Sequence, residues 1–506
     1  MELLPSLGPE TWTLLVACSV LLLLYGIWPY TVFKKLGIPG PRPLPFLGTY
    51  LGCRKGIFQF ELECFNKYGK IWGIYEGRQP VLAILDAAII KTILVKEFYT
   101  LFTNRQNFGL NGDLESAIIF AEDERWKWIR ATISPTFTSG KLKEMFSLIN
   151  HHGDILVKNL EKKVARDELV DVKEIFGAYS LDVITSTSFG VDTDSINNPE
   201  DVLLQRIKKL LSINVFTPMI FFAAIFPFLK PLMERMNVTI FPRKELNFFA
   251  SVTKRLKEQR QESGCRDRVD FLQLMIDSQA EVGSEHSEAS QSLRALTDEE
   301  ISAQAITFIF AGYETSSLAL SYVAYNLATH PETQARLQEE IDRACPSKAN
   351  PTYEVLLKME YLDMVINETL RLFPVGGRLE RMCKKTIEIH GVTIPKGTVV
   401  IVPTYVLHRD PEYWPEPEEF RPERFSKENE RARDPYVFLP FGAGPRNCVG
   451  MRFVVLSMKA ALVSLLQNFS LETCTETTIP LELSTNLLMQ PKKRILLKLT
   501  PRRRCA

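Results

Sequence analysis

The sequence lacks several features that would have settled its class at once. No second cysteine stands at two-residue spacing from another, so a zinc or iron–sulfur site is poorly supported. The nine cysteines are odd in number and follow no framework, which excludes a disulfide scaffold and fits a reducing compartment. No G-x-G-x-x-G fingerprint is present, so a dinucleotide would have to bind another protein. Charge of one sign is missing too: the formal net charge is +1, which gives no reason to expect nucleic acid as a partner. There is no internal repeat. One low-complexity stretch, Glu281 to Ser292, reads as a surface loop.

What the chain does have begins at Thr11. From there to Phe33 no residue is charged, a run long enough to span a bilayer as a helix. A cleaved signal peptide is the rival reading. No basic region precedes the run and no small-x-small cleavage site follows it. Lys34, Lys35 and Arg42 come next, and positive-inside logic places the bulk of the chain in the cytosol. The reading is an anchor over 1–33, a stiff proline-rich hinge over 39–45 and one domain over 34–506.

Helical patterns dominate from about Leu142. Strand-like stretches are few: Ile71–Ile84 as a hairpin, Thr386–Val402 turning at Pro395-Lys396-Gly397, and a terminal pair within Ile479–Leu499. The fold class predicted is mainly α with small β-sheets.

Chemistry concentrates in four places. Phe441-Gly442-Ala443-Gly444-Pro445-Arg446-Asn447-Cys448-Val449-Gly450 sets one cysteine on a glycine-rich loop at a helix mouth. A helix N-terminus favours thiolate, the metal-binding form. A lone thiolate with an open face suits the fifth ligand of a haem iron, whereas a buried structural cysteine is the plain alternative. Thr297-Asp298-Glu299-Glu300 reads as a capping box before an apolar helix reaching about Thr329, roughly 48 Å long at 1.5 Å per residue. Its middle holds Gly312, Glu314 and Thr315, which predicts a local opening beside a ligand; a back-bond is the ordinary fate of an isolated mid-helix Thr. Glu368 and Arg371 share a face of another helix, with Arg424 as a further partner downstream. Trp126 and Arg130 place an indole N–H and a guanidinium four residues apart, a spacing suited to a carboxylate.

These motifs, F-x-x-G-x-R-x-C-x-G, A-G-x-E-T, E-x-x-R with P-E-R-F, and W-x-x-x-R, together resemble the cytochrome P-450 superfamily, most closely its vertebrate microsomal family-three subfamily-A enzymes. The resemblance implies that fold, with a long central helix over haem b (iron protoporphyrin IX) and an N-terminal transmembrane helix. It implies Cys448 as axial ligand, Phe441 shielding the sulfur, and Trp126, Arg130, Arg381, Arg446 and Arg105 about the propionates. Thr315 and Glu314 would serve oxygen activation and proton relay. Glu368, Arg371 and Arg424 would be structural. Substrate would meet Phe108, Ile119, Phe120, Phe216, Phe310, Ala311, Val375, Gly376 and Leu487. The aromatic stretch Phe216–Leu232 would dip into the membrane near the substrate channel.

The implied activity is monooxygenation of lipophilic steroids, drugs and other xenobiotics. Electrons from NADPH would arrive through an NADPH–cytochrome reductase flavoprotein, with cytochrome b5 as a candidate assistant. Lys127, Lys141 and Arg446 would offer positive charge on the electron-accepting face. The implied location is the endoplasmic reticulum membrane, single-pass, with a cytosolic catalytic domain. A reductase-independent haem-thiolate isomerase and a non-enzymatic haem sensor or carrier are the rival functions, and His408 is the rival axial ligand.

Overall fold

Helix α1 (Pro9–Ile27) forms where the uncharged run begins, with proline in its first turn, where a missing N–H costs nothing. Of its residues only Gly26 is buried. A helix apolar all round and bare of protein suits lipid. Counted through to Lys35, it is the one helix among the described residues long and apolar enough to cross a membrane. The computed structural model describes residues 8–107, 109–211, 222–223, 225–263, 270–282, 295–484 and 488–502. The Ser/Glu stretch lies outside them from 283 on.

The inner end of α1 is docked. Tyr25 donates its hydroxyl to Ile225 O (2.9 Å) and stacks on Phe226 with centroids 6.1 Å apart. The Arg78 guanidinium lies 3.4 Å from the Tyr25 ring centroid, and its Nε donates to Tyr25 O (2.8 Å). Phe222, Phe228 and Leu232 stay exposed nearby. Residues 39–45 include a stretch laid on the first strand: Gly73 N–H donates to Pro39 O (2.8 Å), and a Cβ at Gly40 would collide with Gly73 O.

Strands β1 (Ile71–Glu76) and β2 (Gln79–Ile84) make the expected hairpin, turning at Gly77. Strand β3 (Val170–Asp171) belongs to a separate sheet. The stretch expected to turn once over Thr386–Val402 turns twice. Strands β5 (Ile387–Ile389) and β6 (Val392–Ile394) close on each other through His390 and Gly391, both at positive φ, before the chain turns again into β7 (Val399–Val402). A histidine in the left-handed region hides that first turn from a sequence reading. Strand β4 (Leu379–Met382) was not expected at all; it completes a sheet ordered β1-β2-β7-β4. At the C-terminus, β9 (Leu496–Pro501) pairs with β8 (Phe469–Thr473) and with β3, so its main partner lies before Ile479.

Six further helices position the site: α2 (Asp123–Ile133), α3 (Ser139–Ala165), α4 (Val172–Phe189), α5 (Asp298–Thr329), α6 (Glu360–Leu372) and α7 (Met451–Asn468). The capping box at Thr297 and Glu300 is present and starts α5, which runs without interruption. Gly312 therefore does not interrupt the helix. Gly312 serves packing: a Cβ there would meet Ile184 Cγ1 at 2.9 Å, and a Cβ at Gly177 would meet the Tyr313 ring at 3.2 Å. These two glycines bring α4 and α5 into close apposition at the centre of the main core.

Candidate functional site

The cysteine loop is shaped by two glycines. Gly442 and Gly444 both take φ +72°, and a Cβ at Gly444 would collide with Leu94 O. The turn closes with Cys448 N–H donating to Phe441 O (2.9 Å), and α7 starts three residues past the thiol, at Met451. Cys448 is accessible although protein surrounds it closely. The thiolate bias expected from the helix mouth does not prevail. Burial pushes the thiol up, outweighing the opposing N–H groups of Gly450 and Met451 and the nearby Arg130 and Arg105. A cation at the sulfur would reverse that balance. Phe441 packs on the edge of the main core, one turn from Cys448.

Positive charge converges beside the cysteine. Arg130, on α2, donates through Nη1 to Asn447 O (2.7 Å) and Nη2 to Asn447 Oδ1 (2.8 Å), which ties it to the loop itself. Arg446 is buried and donates to Thr103 O (2.8 Å), Ile119 O (3.1 Å) and Ala121 O (2.9 Å). Arg381, also buried, donates to Glu380 O (2.6 Å). Burial, with Arg105 adding repulsion, lowers Arg381 to about 9 and, with Arg105 and Arg381, lowers Arg446 to about 8. The Nε atoms of Arg381 and Arg446 are buried without a hydrogen-bond partner. Among the described residues none of Arg105, Arg130, Arg381 and Arg446 pairs with a carboxylate at salt-bridge distance. Trp126 is buried under Arg446, whose guanidinium lies 5.2 Å from its ring.

Guanidinium groups that repel one another, with no carboxylate at salt-bridge distance among the described residues, favour a bound anion. Two propionates supply it, and a single accessible cysteine supplies one axial ligand, so the donor set fits haem. Among the described residues no cluster of His, Cys, Asp and Glu could hold a metal unaided.

A second partly accessible surface lies on α5. Along its buried central stretch, Phe310, Ala311, Gly312 and Thr315 are the partly accessible residues, which places an open space against this face. Thr315 Oγ1 donates to Ala311 O (2.6 Å), the back-bond weighed from the sequence. Glu314 is buried and turns elsewhere: its Oε1 accepts from Lys173 Nζ (2.8 Å) and Gln490 Nε2 (2.7 Å). The acid and the alcohol are neighbours in sequence that engage different partners.

The segment 116–121 links the two surfaces. Gln304 on α5 accepts from Ile118 N–H (2.8 Å) and donates to Ser116 O (2.7 Å), while Arg446 holds the segment from the cysteine side. Ile119 and Phe120 ride on it, with Phe120 5.9 Å from Phe241. Val375 O accepts from Met489 N–H (3.1 Å), and a Cβ on Gly376 would meet nothing within 4 Å. Phe108, Phe216 and Leu487 lie outside the described residues. Gln304 escaped the sequence reading, though a carboxamide inside the apolar run Ile301–Phe310 was a visible signal.

Glu368, Arg371 and Arg424 meet. Arg371 makes a two-point pair with Glu368 (2.7 and 2.9 Å), fully buried, and Arg424 Nε lies 3.3 Å from Glu368 Oε1. Arg371 also donates to the carbonyls of His408 (2.9 Å), Pro417 (2.7 Å) and Glu419 (3.0 Å). His408 is committed here. Its Nε2 accepts from Leu439 N–H (2.9 Å) and its ring packs on Phe438 and Trp414, so the rival axial ligand is a strut between the triad and the cysteine loop. Burial and the cations of Arg371 and Arg409 push it down to about 3, which keeps it neutral. The expected contribution of Arg446 to an outer basic face is also overturned, because its guanidinium is spent on inner carbonyls. Lys127 pairs with Glu124 and Lys141 with Glu144.

The sequence model of the family described as Cytochrome P450 matches residues 38–499. Among curated relatives, cytochrome P450 3A9 of Rattus norvegicus is 58% identical over 502 residues, covering 99% of each chain. Cytochrome P450 3A29 of Sus scrofa is 57% identical, and cytochrome P450 3A5 of Homo sapiens 55% identical, each again covering 99% of both chains.

Proposed function

The chain belongs to the cytochrome P450 family and is a haem-thiolate monooxygenase, and on that premise we propose which of its residues do the work and on what substrates. Cys448 ligates the iron. Arg105, Arg381 and Arg446, with Arg130 and Trp126 at the loop, hold the propionates. The observation that carries this assignment is the convergence beside one accessible thiol of four guanidinium groups, none of them at salt-bridge distance from a carboxylate among the described residues. Bound haem supplies the centre at which dioxygen is split, one atom entering the substrate and the other leaving as water.

The chain supplies placement and protons. Thr315 holds a proton at Oγ1, donated to Ala311 O at rest and freed by rotation of the side chain. Glu314, held by Lys173 and Gln490, would help relay a proton toward Thr315, its neighbour on α5. Ile119, Phe120, Phe310, Ala311, Val375 and Gly376 offer almost no polar anchor, so lipophilic molecules such as steroids and drugs bind by burial and are ranked weakly. Electrons originate in NADPH and pass through a reductase flavoprotein, with cytochrome b5 assisting. Helix α1 anchors the protein by a single pass in the endoplasmic reticulum membrane, residues 34–506 forming the cytosolic catalytic domain. The exposed Phe222, Phe228 and Leu232 beside Tyr25 support immersion of that segment in lipid.

The test is the difference spectrum of the reduced protein with carbon monoxide, followed by steroid turnover with reductase. Thiolate ligation shifts the Soret band to long wavelength, and Cys448→Ser abolishes that shift together with turnover. An unchanged spectrum in Cys448→Ser removes the assignment. Peroxide rearrangement without reductase, or haem binding without turnover, would favour the isomerase or the sensor.

A further inference from the structure

Gln304 is fully buried on α5, inside a run of apolar residues. A carboxamide there is unfavourable unless both its halves are bonded. Both are, and to one target: Ile118 N–H donates to Oε1 (2.8 Å) and Nε2 donates to Ser116 O (2.7 Å). The side chain therefore grips the main chain of the segment 116–121 as a neighbouring strand would. One turn earlier on α5, Glu300 Oε1 accepts from Arg125 (3.0 Å), which also donates to Ser116 Oγ (2.7 Å). From the other side Arg446 donates to the carbonyls of Ile119 and Ala121. Ala117 between these holds is completely buried. What remains directed outward is Ile119 and Phe120, both partly accessible.

We propose that Gln304 is a positioning residue that sets the place of Ile119 and Phe120 over the substrate hollow and thereby selects the position oxidised. This rests on the assignment of those two residues to the substrate wall. Gln304 touches neither substrate nor haem. It fixes the distance between α5, which carries Phe310, Ala311 and Thr315, and the segment facing it. Losing the hold leaves Arg446 as the remaining inner clamp, and the segment acquires a second, looser state.

The test uses the full-length protein in phospholipid nanodiscs. Gln304→Met keeps length and removes both bonds; Gln304→Glu keeps the acceptor for Ile118 N–H and, because burial favours its protonated carboxyl, only a weaker O–H donor to Ser116 O. Each lost bond should speed hydrogen exchange of 116–121 about fivefold, so Met exceeds Glu. The reduced carbon-monoxide spectrum should stay of the thiolate type, while the ratio of steroid products changes and the spectral dissociation constant rises in the same order, Met above Glu above wild type. Ile119→Ala and Phe120→Ala are run alongside. If they alter the product ratio and the Gln304 variants do not, the latch is refuted. If none alters it, the substrate-wall assignment fails instead. A lowered melting temperature with unchanged exchange and products would reduce Gln304 to a stability role and overturn the proposal.

Discussion

Glu61 is fully buried, and neither of its carboxyl oxygens has a hydrogen bond of normal geometry; Arg378 lies 3.6 Å away. The same guanidinium serves Glu76 (2.7 Å) and Glu380 (3.1 Å), so three acids share one base. Tyr50, Cys53 and Cys64 are close by, and burial pushes the last two thiols up to about 12. Burial, opposed by Arg378, raises Glu61 from 4.5 to about 8. A folded pKa above the unfolded one means the folded state binds more protons across that interval. The contribution of Glu61 to stability is then greatest below 4.5, falls as pH rises, and levels off above about 8. Glu61→Gln removes this dependence. Its unfolding free energy should gain on wild type between pH 5 and pH 8 by on the order of 2 kcal/mol or more, read from urea denaturation. A gap that stays constant with pH would mean that Glu61 is ionised throughout.

At the scale of elements, the close pairing of α4 and α5 governs how α5 crosses the core. Gly312→Ala gains about 1 kcal/mol of helix propensity. The added methyl meets Ile184 Cγ1 at 2.9 Å, in a place where the buried Ile184 has little room to yield. Overpacking costs about 1–3 kcal/mol, so net destabilisation of about 1 kcal/mol is expected. Ile184→Ala in the same chain removes both Cγ1 and Cδ1, so the double variant should lose less than the sum of the two singles, a coupling that thermal unfolding of the two singles and the double would measure. Additive effects would mean the helices do not touch through Gly312. Sequence patterns located α5, and the capping box located its start. They assigned Gly312 to an opening because a lone glycine in a helix looks the same whether it faces a ligand or a neighbouring helix.

For the whole molecule, the main question is how anchor and catalytic domain are joined. Tyr25 binds Ile225 O, Phe226 and Arg78 at once, and Phe33 is buried against Tyr75 at 5.2 Å. Tyr25→Ala should leave membrane retention intact, since the remaining apolar run still spans the bilayer. It should also release the segment 222–232, whose hydrogen exchange in nanodiscs should rise about fivefold or more for the lost hydrogen bond and stacking. Unchanged exchange would show that the contact holds nothing.

The division between sequence and structure follows the range of the interactions. The cysteine loop, the apolar anchor, the capping box and the Glu368–Arg371 pair were legible because each is encoded in one contiguous stretch, by turn chemistry, hydrophobic length or helical spacing. Only the tertiary structure decided the rest. It set burial against the helix mouth at Cys448, turned Glu314 toward Lys173, spent Arg446 on carbonyls far away in the chain and made His408 a strut. In each of those cases the partner comes from a distant segment, and the balance between desolvation and pairing exists only after the chain has closed around the group.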